Sequence, residues 1–313
     1  MLGKTAGGVY WLFRYMERSE NTARLVDAGQ RIALTRSSDA ASEWESVLTS
    51  AMVREAYLQK HETFSQDAAV DFLLRDLDNS SSVRSAIQAA RDNAKTVRTA
   101  LTREVWEAVN ECWMVLQPML ERKVPLRELP EVLNTIRQRS AFVRGALHGT
   151  MMRNEIYNFA RIGTFIERAD NTGRILDVKY YVLLPHAISV GTSLDNVQWE
   201  TILRSVSAEG AYRWAYGQDV RPRQIADFLI FDGRMPRSLL FCTRKIAENL
   251  GYLCMDEPGG TEALAMAEDL QAMLKGTDID RVIEAGLHEF IQDFIQRIGD
   301  FGRQIEVQYR FYG

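Results

Sequence analysis

An all-α fold, a multi-helix bundle of long antiparallel helices with an internal pseudo-repeat, follows from three observations. The 313 residues contain only seven prolines, at 118, 125, 130, 185, 222, 236 and 258, so long stretches run free of the main helix breaker. Short alternating β-branched segments are nearly absent, which leaves no candidate sheet. One stretch is written twice: residues 15–27 read YMERSENTARLVD and residues 165–177 read FIERADNTGRILD. At an offset of 150, Glu17/Glu167, Arg18/Arg168, Asn21/Asn171, Thr22/Thr172, Arg24/Arg174 and Asp27/Asp177 are identical, and the other positions exchange like for like. Helix propensity alone does not specify the same polar series twice.

The first helix is expected from Thr5 to about Leu34, followed by SSDAASE as a surface loop and helices over about 43–59 and 66–76. LDNSSSV supplies an N-cap for a long helix over about 82–116, and Pro118 to Pro130 read as a broken connector. From 131 toward 182 no proline interrupts the pattern, and Gly145, Gly149 and Gly163 mark close packing or a bend. PHAISVGTSLD is a loop, and Asp195 with Gln198 resembles a capping box for a helix over about 196–207. Helices follow over about 209–216, 222–230 and 236–253; DEPGG breaks the chain, and two last helices cover about 261–275 and 279–308. The whole reads as one helical domain over 1–313, built of two intimately packed halves, about 1–130 and 131–313. FIQRIGDFGRQI at 294–305 is either a degenerate third copy of the motif or an ordinary amphipathic pattern.

Bulk composition narrows the function classes. With 46% hydrophobic and 26% charged residues the chain is an ordinary soluble protein, and a net charge of -4 makes nucleic acid an unlikely partner. Cys112, Cys242 and Cys254 are isolated and lack CxxC spacing, which argues against a disulfide scaffold or structural zinc. The apolar part of MLGKTAGGVYWLFRYMER is too short for a signal peptide, and YYVLL and FLIF fall far below a membrane span. No membrane association and a cytoplasmic location are therefore expected.

On a helical wheel each motif copy is amphipathic. Glu17, Asn21 and Arg24, with Glu20, Asp27 and Arg14, form one polar stripe; Glu167, Asn171 and Arg174, with Asp170 and Asp177, form its counterpart. Arg18 and Arg168 are the odd members, because they fall inside the apolar arcs and must snorkel, pair with a carboxylate or point into a shared interior. Three readings fit: an Arg–Glu network locking two helices across a pseudo-twofold, a clamp for a carboxylate or phosphate ligand, or a docking surface for another protein. The ligand or partner site would then comprise Glu17, Arg18, Asn21, Arg24, Glu167, Arg168, Asn171 and Arg174. No nucleophile accompanies the carboxylates, so no catalytic residue is assigned. A di-metal carboxylate site would need Glu-x-x-His elements, which histidines 61, 148, 186 and 288 do not supply, so neither metal nor cofactor is expected.

Two further basic groups are candidates for binding anions. Arg84, Arg91 and Arg98 recur every seven residues and make one stripe, solvated or facing an anion. In RPRQIADFLIFDGRMPRS, Pro236 is a plausible first-turn proline, which would place Arg237 and Ser238 among free backbone N–H groups. Arg234 and Arg237 are the anion-site candidates there, the alternative being a capped helix start with a salt bridge to Asp232.

TAGGVYWLFRYMERSENTARLVD, SSVRSAIQAARDNAKTVR, FARIGTFIERADNTGRILD, DFLIFDGRMPRS and GLHEFIQDF together resemble the bacterial alpha-E family, all-α proteins with a recurring Glu-Arg motif. The motif residues correspond to Glu17, Arg18, Glu167 and Arg168; Gly7-Gly8 departs from the more polar residues usual there. The resemblance implies association with circularly permuted ATP-grasp proteins and transglutaminase-like proteases, hence a part in making or modifying a peptide or amide-linked product. It implies no catalytic role for the helical chain, which would be a non-catalytic partner or substrate-presenting subunit. An Arg/Glu-lined interhelical pocket, in an enzyme or a small-molecule binder, is the alternative.

Overall fold

The computed structural model describes residues 2–35, 40–182, 193–256 and 261–312, and among them every regular element is helical. The chain runs through α1 (Gly3–Thr35), α2 (Ala40–Ser50), α3 (Arg54–Leu58), α4 (Gln66–Leu74), α5 (Val83–Thr96), α6 (Arg103–Glu121), α7 (Leu129–Thr150) and α8 (Glu155–Val182). It continues through α9 (Ser193–Ser205), α10 (Glu209–Tyr216), α11 (Pro222–Phe231), α12 (Leu239–Asp256), α13 (Glu262–Lys275), α14 (Ile279–Ala285) and α15 (Leu287–Gln308).

Helix breaks inside the proline-free stretches are set by side-chain caps at Thr102 and Asn154 and by left-handed backbone at Met52 and Gly286. The helix expected over 82–116 is two helices separated by a 3-10 turn at Arg98–Ala100; the Thr102 hydroxyl accepts the Val105 N–H and starts α6 afresh. Pro118 then lies inside α6 rather than in a connector. The run from 131 toward 182 divides at 151–154, where the Asn154 side chain accepts the Tyr157 N–H ahead of α8. The helix expected over 43–59 breaks at Met52, which takes φ 60° while Val53 N–H reaches back to the Leu48 carbonyl at 3.0 Å, a Schellman-type stop. Gly286, at φ 112°, separates α14 from α15. Residues 40–43 of the expected SSDAASE loop belong to α2. Helix α9 begins at Ser193, so Asp195 stands within it; the Asp195 and Gln198 side chains, most of PHAISVGTSLD and most of DEPGG lie outside the described residues.

The core is continuous from Val9, Tyr10 and Phe13 of α1 through Phe165 of α8 to Phe294 and Phe301 of α15. Helices α1 and α8 form the central pair; α5 and α7 flank α1, while α12 and α15 flank α8. Neighbouring helices run antiparallel. Arg91 meets Asn110 and Gln88 meets Trp113 between α5 and α6, and Asp177 meets His288 while Phe159 meets Tyr309 between α8 and α15. The central pair runs the other way: Tyr10 lies beside Gly163, Arg14 and Arg18 reach Glu167, and Glu17 meets Arg168, so α1 and α8 advance in the same direction. A parallel pair in register is what a twofold axis along two copies of one helix produces, which accounts for the sequence repeat geometrically.

Of the glycines expected to permit close packing, only Gly163 does so, because a Cβ there would collide with the Tyr10 carbonyl. Gly145 and Gly149 face open space. Gly7 and Gly8 lie against Phe311 and Val97, so their lack of a side chain has a packing reason.

Candidate functional site

At the crossing of α1 and α8 each motif glutamate is held by the other motif's arginine. Arg168 Nε and Nη2 donate to the two oxygens of Glu17 at 2.8 and 3.0 Å. Arg18 Nε and Nη2 donate to the two oxygens of Glu167 at 2.6 and 3.1 Å. Both arginines therefore bind a carboxylate bidentately, which is one of the three outcomes open to their positions in the apolar arcs. Glu17 is 1% exposed and Glu167 6%, so the polar stripe of each helix is here an interior seam, the arrangement that an Arg–Glu network between the two helices calls for.

Around the reciprocal pairs the symmetry ends. On the Glu17 side Arg237 adds a contact at 2.9 Å, and Glu20 receives Arg24, Arg144 and Arg237. Arg237 Nη1 also donates to Asn21 Oδ1 at 2.9 Å. On the Glu167 side, among the described residues, Arg14 alone joins, at 3.0 Å, lying over the Trp11 ring. Burial alone would raise the pKa of Glu17, but the charges of Arg168 and Arg237 reverse this and hold it well below the usual carboxylate range. Glu167 behaves likewise: burial raises its pKa, yet Arg18 and Arg14 bring it down to about 2. Arg237 shows the cost of collecting guanidinium groups, since burial pushes it down to about 10 despite Glu17.

The repeat is also carried in local pairs. Arg24 binds Glu20 and Arg174 binds Asp170, each four residues back on its own helix. Asn21 and Asn171 each leave a buried Nδ2 without a partner. The 294–305 segment does not join: Arg297 pairs with Asp293 and Arg303 with Asp300 on α15 itself, so only the amphipathic pattern is shared.

The secondary anion candidates scatter. Arg98 sits in the 3-10 turn, so Arg84, Arg91 and Arg98 do not share one helix. Arg91 lies 3.8 Å over Trp113 and Arg98 5.0 Å over Trp106, and both guanidinium groups are used in holding α5 against α6. Arg234 makes the Asp232 salt bridge at 3.0 Å. Arg237 binds anions of this chain, Glu17 and Glu20, and α12 starts at Leu239 with the Ser238 hydroxyl accepting the Phe241 N–H; Pro236 therefore precedes the first turn. Sequence reasoning did not include Arg14 or Arg144 in the site. Arg14 belonged to the polar stripe on the wheel, but Arg144 on α7 carries no local signal because its role exists only after three helices meet.

Beside the lock lies a cavity of about 240 Å³, lined from α1 by Arg18, Asn21, Thr22 and Leu25 and from α8 by Glu167, Asp170, Asn171 and Arg174. Ser50, Ala51 and Met52 at the end of α2, with Ser81, complete the wall. Among the described residues no cluster of three or more histidine, cysteine or acidic side chains is arranged to hold a metal ion, and no helix is long and apolar enough to cross a membrane.

These features define a class: a helical bundle centred on two parallel helices that exchange Glu-Arg pairs. The chain belongs to the Alpha-E family, whose model matches residues 1–309 and is described as a predicted alpha-helical domain with a conserved ER motif. Neither the curated proteins nor the solved structures include a match.

Proposed function

We propose that this chain is a non-catalytic helical partner that docks onto an ATP-grasp family protein, and also serves a transglutaminase-like one, presenting substrate in a peptide- or amide-bond-forming system. The observation that carries the reading is the state of the motif carboxylates. Glu17 and Glu167 are buried, held ionised and bound through both oxygens by arginine. A general base needs a pKa near working pH, and both glutamates are held well below it by their arginines. The motif then builds a rigid frame, and recognition falls to the surface. The outward face of α7 and the turn that follows it suit docking: Phe142 on the helix and Met152 in the turn are 53% and 77% exposed, and Gly145 and Gly149 of α7 face open space.

Co-purification of the tagged chain with an ATP-grasp family protein from the same cells tests the reading. A stable complex weakened by Phe142→Lys is expected. A chain that ignores that protein at concentrations well above cellular ones overturns it. The second reading, a binder of small anionic ligands, is favoured by the cavity beside the lock and its two unpartnered amides.

A further inference from the structure

We infer that the cavity between α1, α8 and the end of α2 is a binding site for a small carboxylate, of the kind a short peptide or amino acid carries at its C-terminus. The first argument is a surplus of donors. Arg18 and Arg174 each spend Nε and Nη2 on a carboxylate, Glu167 and Asp170, and among the described residues their Nη1 groups hydrogen-bond to nothing. Asn21 is 4% exposed; its Oδ1 is occupied by Arg237, and since a guanidinium can only donate, the amide orientation is fixed with Nδ2 unpartnered. Asn171 Nδ2 is buried and unpartnered in the equivalent position of the second repeat. All four unspent groups donate and line one cavity; Asn21 and Asn171 are equivalent under the pseudo-twofold, while Arg18 and Arg174 come from different positions of the repeat.

Charge and size then select the ligand. Arg18 and Arg174 are balanced one for one by Glu167 and Asp170, so the walls carry no net charge. Such a site accommodates a monoanion more readily than a phosphate dianion, which calls for an excess of cations. The volume, about 240 Å³, falls below the roughly 300 Å³ at which pockets for drug-sized ligands begin, which suits a ligand of dipeptide size. Leu25, Ala51 and Met52 supply an apolar wall for its side chain. This assignment rests on the reading of the chain as a substrate-presenting subunit, but its test needs no partner protein, so failure here leaves the docking result standing.

The test is calorimetric titration of the intact chain with L-alanyl-L-alanine, its C-terminal amide and inorganic phosphate. Saturable binding of the dipeptide is expected, with the amide weaker by about tenfold, the worth of one hydrogen bond to a charged group. Phosphate should bind more weakly than the dipeptide. Asn171→Leu should weaken the dipeptide by a similar factor at an unchanged melting temperature; should that variant not fold, Arg174→Gln, whose side chain is 22% exposed, gives the same reading. Absence of saturable binding at millimolar dipeptide, equal affinity for acid and amide, or tighter binding of phosphate would each overturn the proposal.

Discussion

Arg168 grips Glu17 through Nε and Nη2 at 2.8 and 3.0 Å, and one residue away on each helix Arg18 grips Glu167 in the same manner. The two pairs exchange under the pseudo-twofold, so a single Glu-Arg dipeptide suffices for each helix. A buried ion pair offers little net stability over apolar packing, but it fixes register, because any slip of α1 against α8 strands two charges in the core. The lock therefore selects the parallel, in-register pairing more than it strengthens it.

Removing one partner exposes the asymmetry of the lock. Glu17→Ala leaves Arg168 and Arg237 buried without their shared carboxylate, and a loss of about 3–5 kcal/mol is expected. Glu167→Ala should cost less, because the Arg14 and Arg18 side chains are 15% and 25% exposed and can reach water. Urea unfolding of both variants measures the difference; equal losses would contradict it.

Acid should dissolve the same lock. The Glu167 pKa falls on folding from the ordinary 4.5 to about 2, because Arg18 and Arg14 outweigh the opposing effect of burial. A depressed carboxylate stabilises the fold fully above the unfolded value, and that stability is lost as pH drops through the folded one. Stability is expected to fall between about pH 4.5 and 2, by up to about 3 kcal/mol from this group. Chemical denaturation across that window checks it, and Glu167→Gln should flatten the slope.

Much of this was legible in the sequence, and the rest was not for identifiable reasons. The repeat, the helical class and the anomalous Arg18 and Arg168 follow from periodicity, which reports which side of a helix a residue occupies. Periodicity does not report whether that side meets water or a second charged helix, so the wheel leaves Glu17 and Glu20 undecided between surface and interior, and both are buried. The breaks near Thr102 and Asn154 carry only a single capping side chain as their signal. Arg144 and Arg237 join the Glu17 cluster from α7 and from the turn before α12, contacts that no local pattern encodes.

Two glycines should respond oppositely to alanine. Gly163→Ala places a Cβ against the Tyr10 carbonyl, forces α1 and α8 apart, and should cost about 1–3 kcal/mol. Gly145→Ala meets nothing within 4 Å in the middle of α7 and should stabilise by about 0.4–1 kcal/mol. Thermal melts of the two single variants decide it, and the opposite sign at either site would show that the packing of that helix is misread.

Among the described residues three helix stops place non-glycine residues in the left-handed region: Met52 at φ 60° after α2, Ser207 at φ 52° after α9 and Arg310 at φ 52° after α15. An L side chain there costs about 1 kcal/mol, which glycine avoids. Met52 is 59% exposed, so Met52→Gly gives up little packing and should stabilise by about that amount. Ser207 differs because its hydroxyl accepts from Arg24, tying the end of α9 to α1. Ser207→Gly loses that bond while relieving the same strain, so its net change should be smaller than that of Met52→Gly. Parallel urea titrations test the ordering. Were the two gains equal, the Arg24–Ser207 contact would contribute nothing, and α9 would be held to α1 by apolar packing alone.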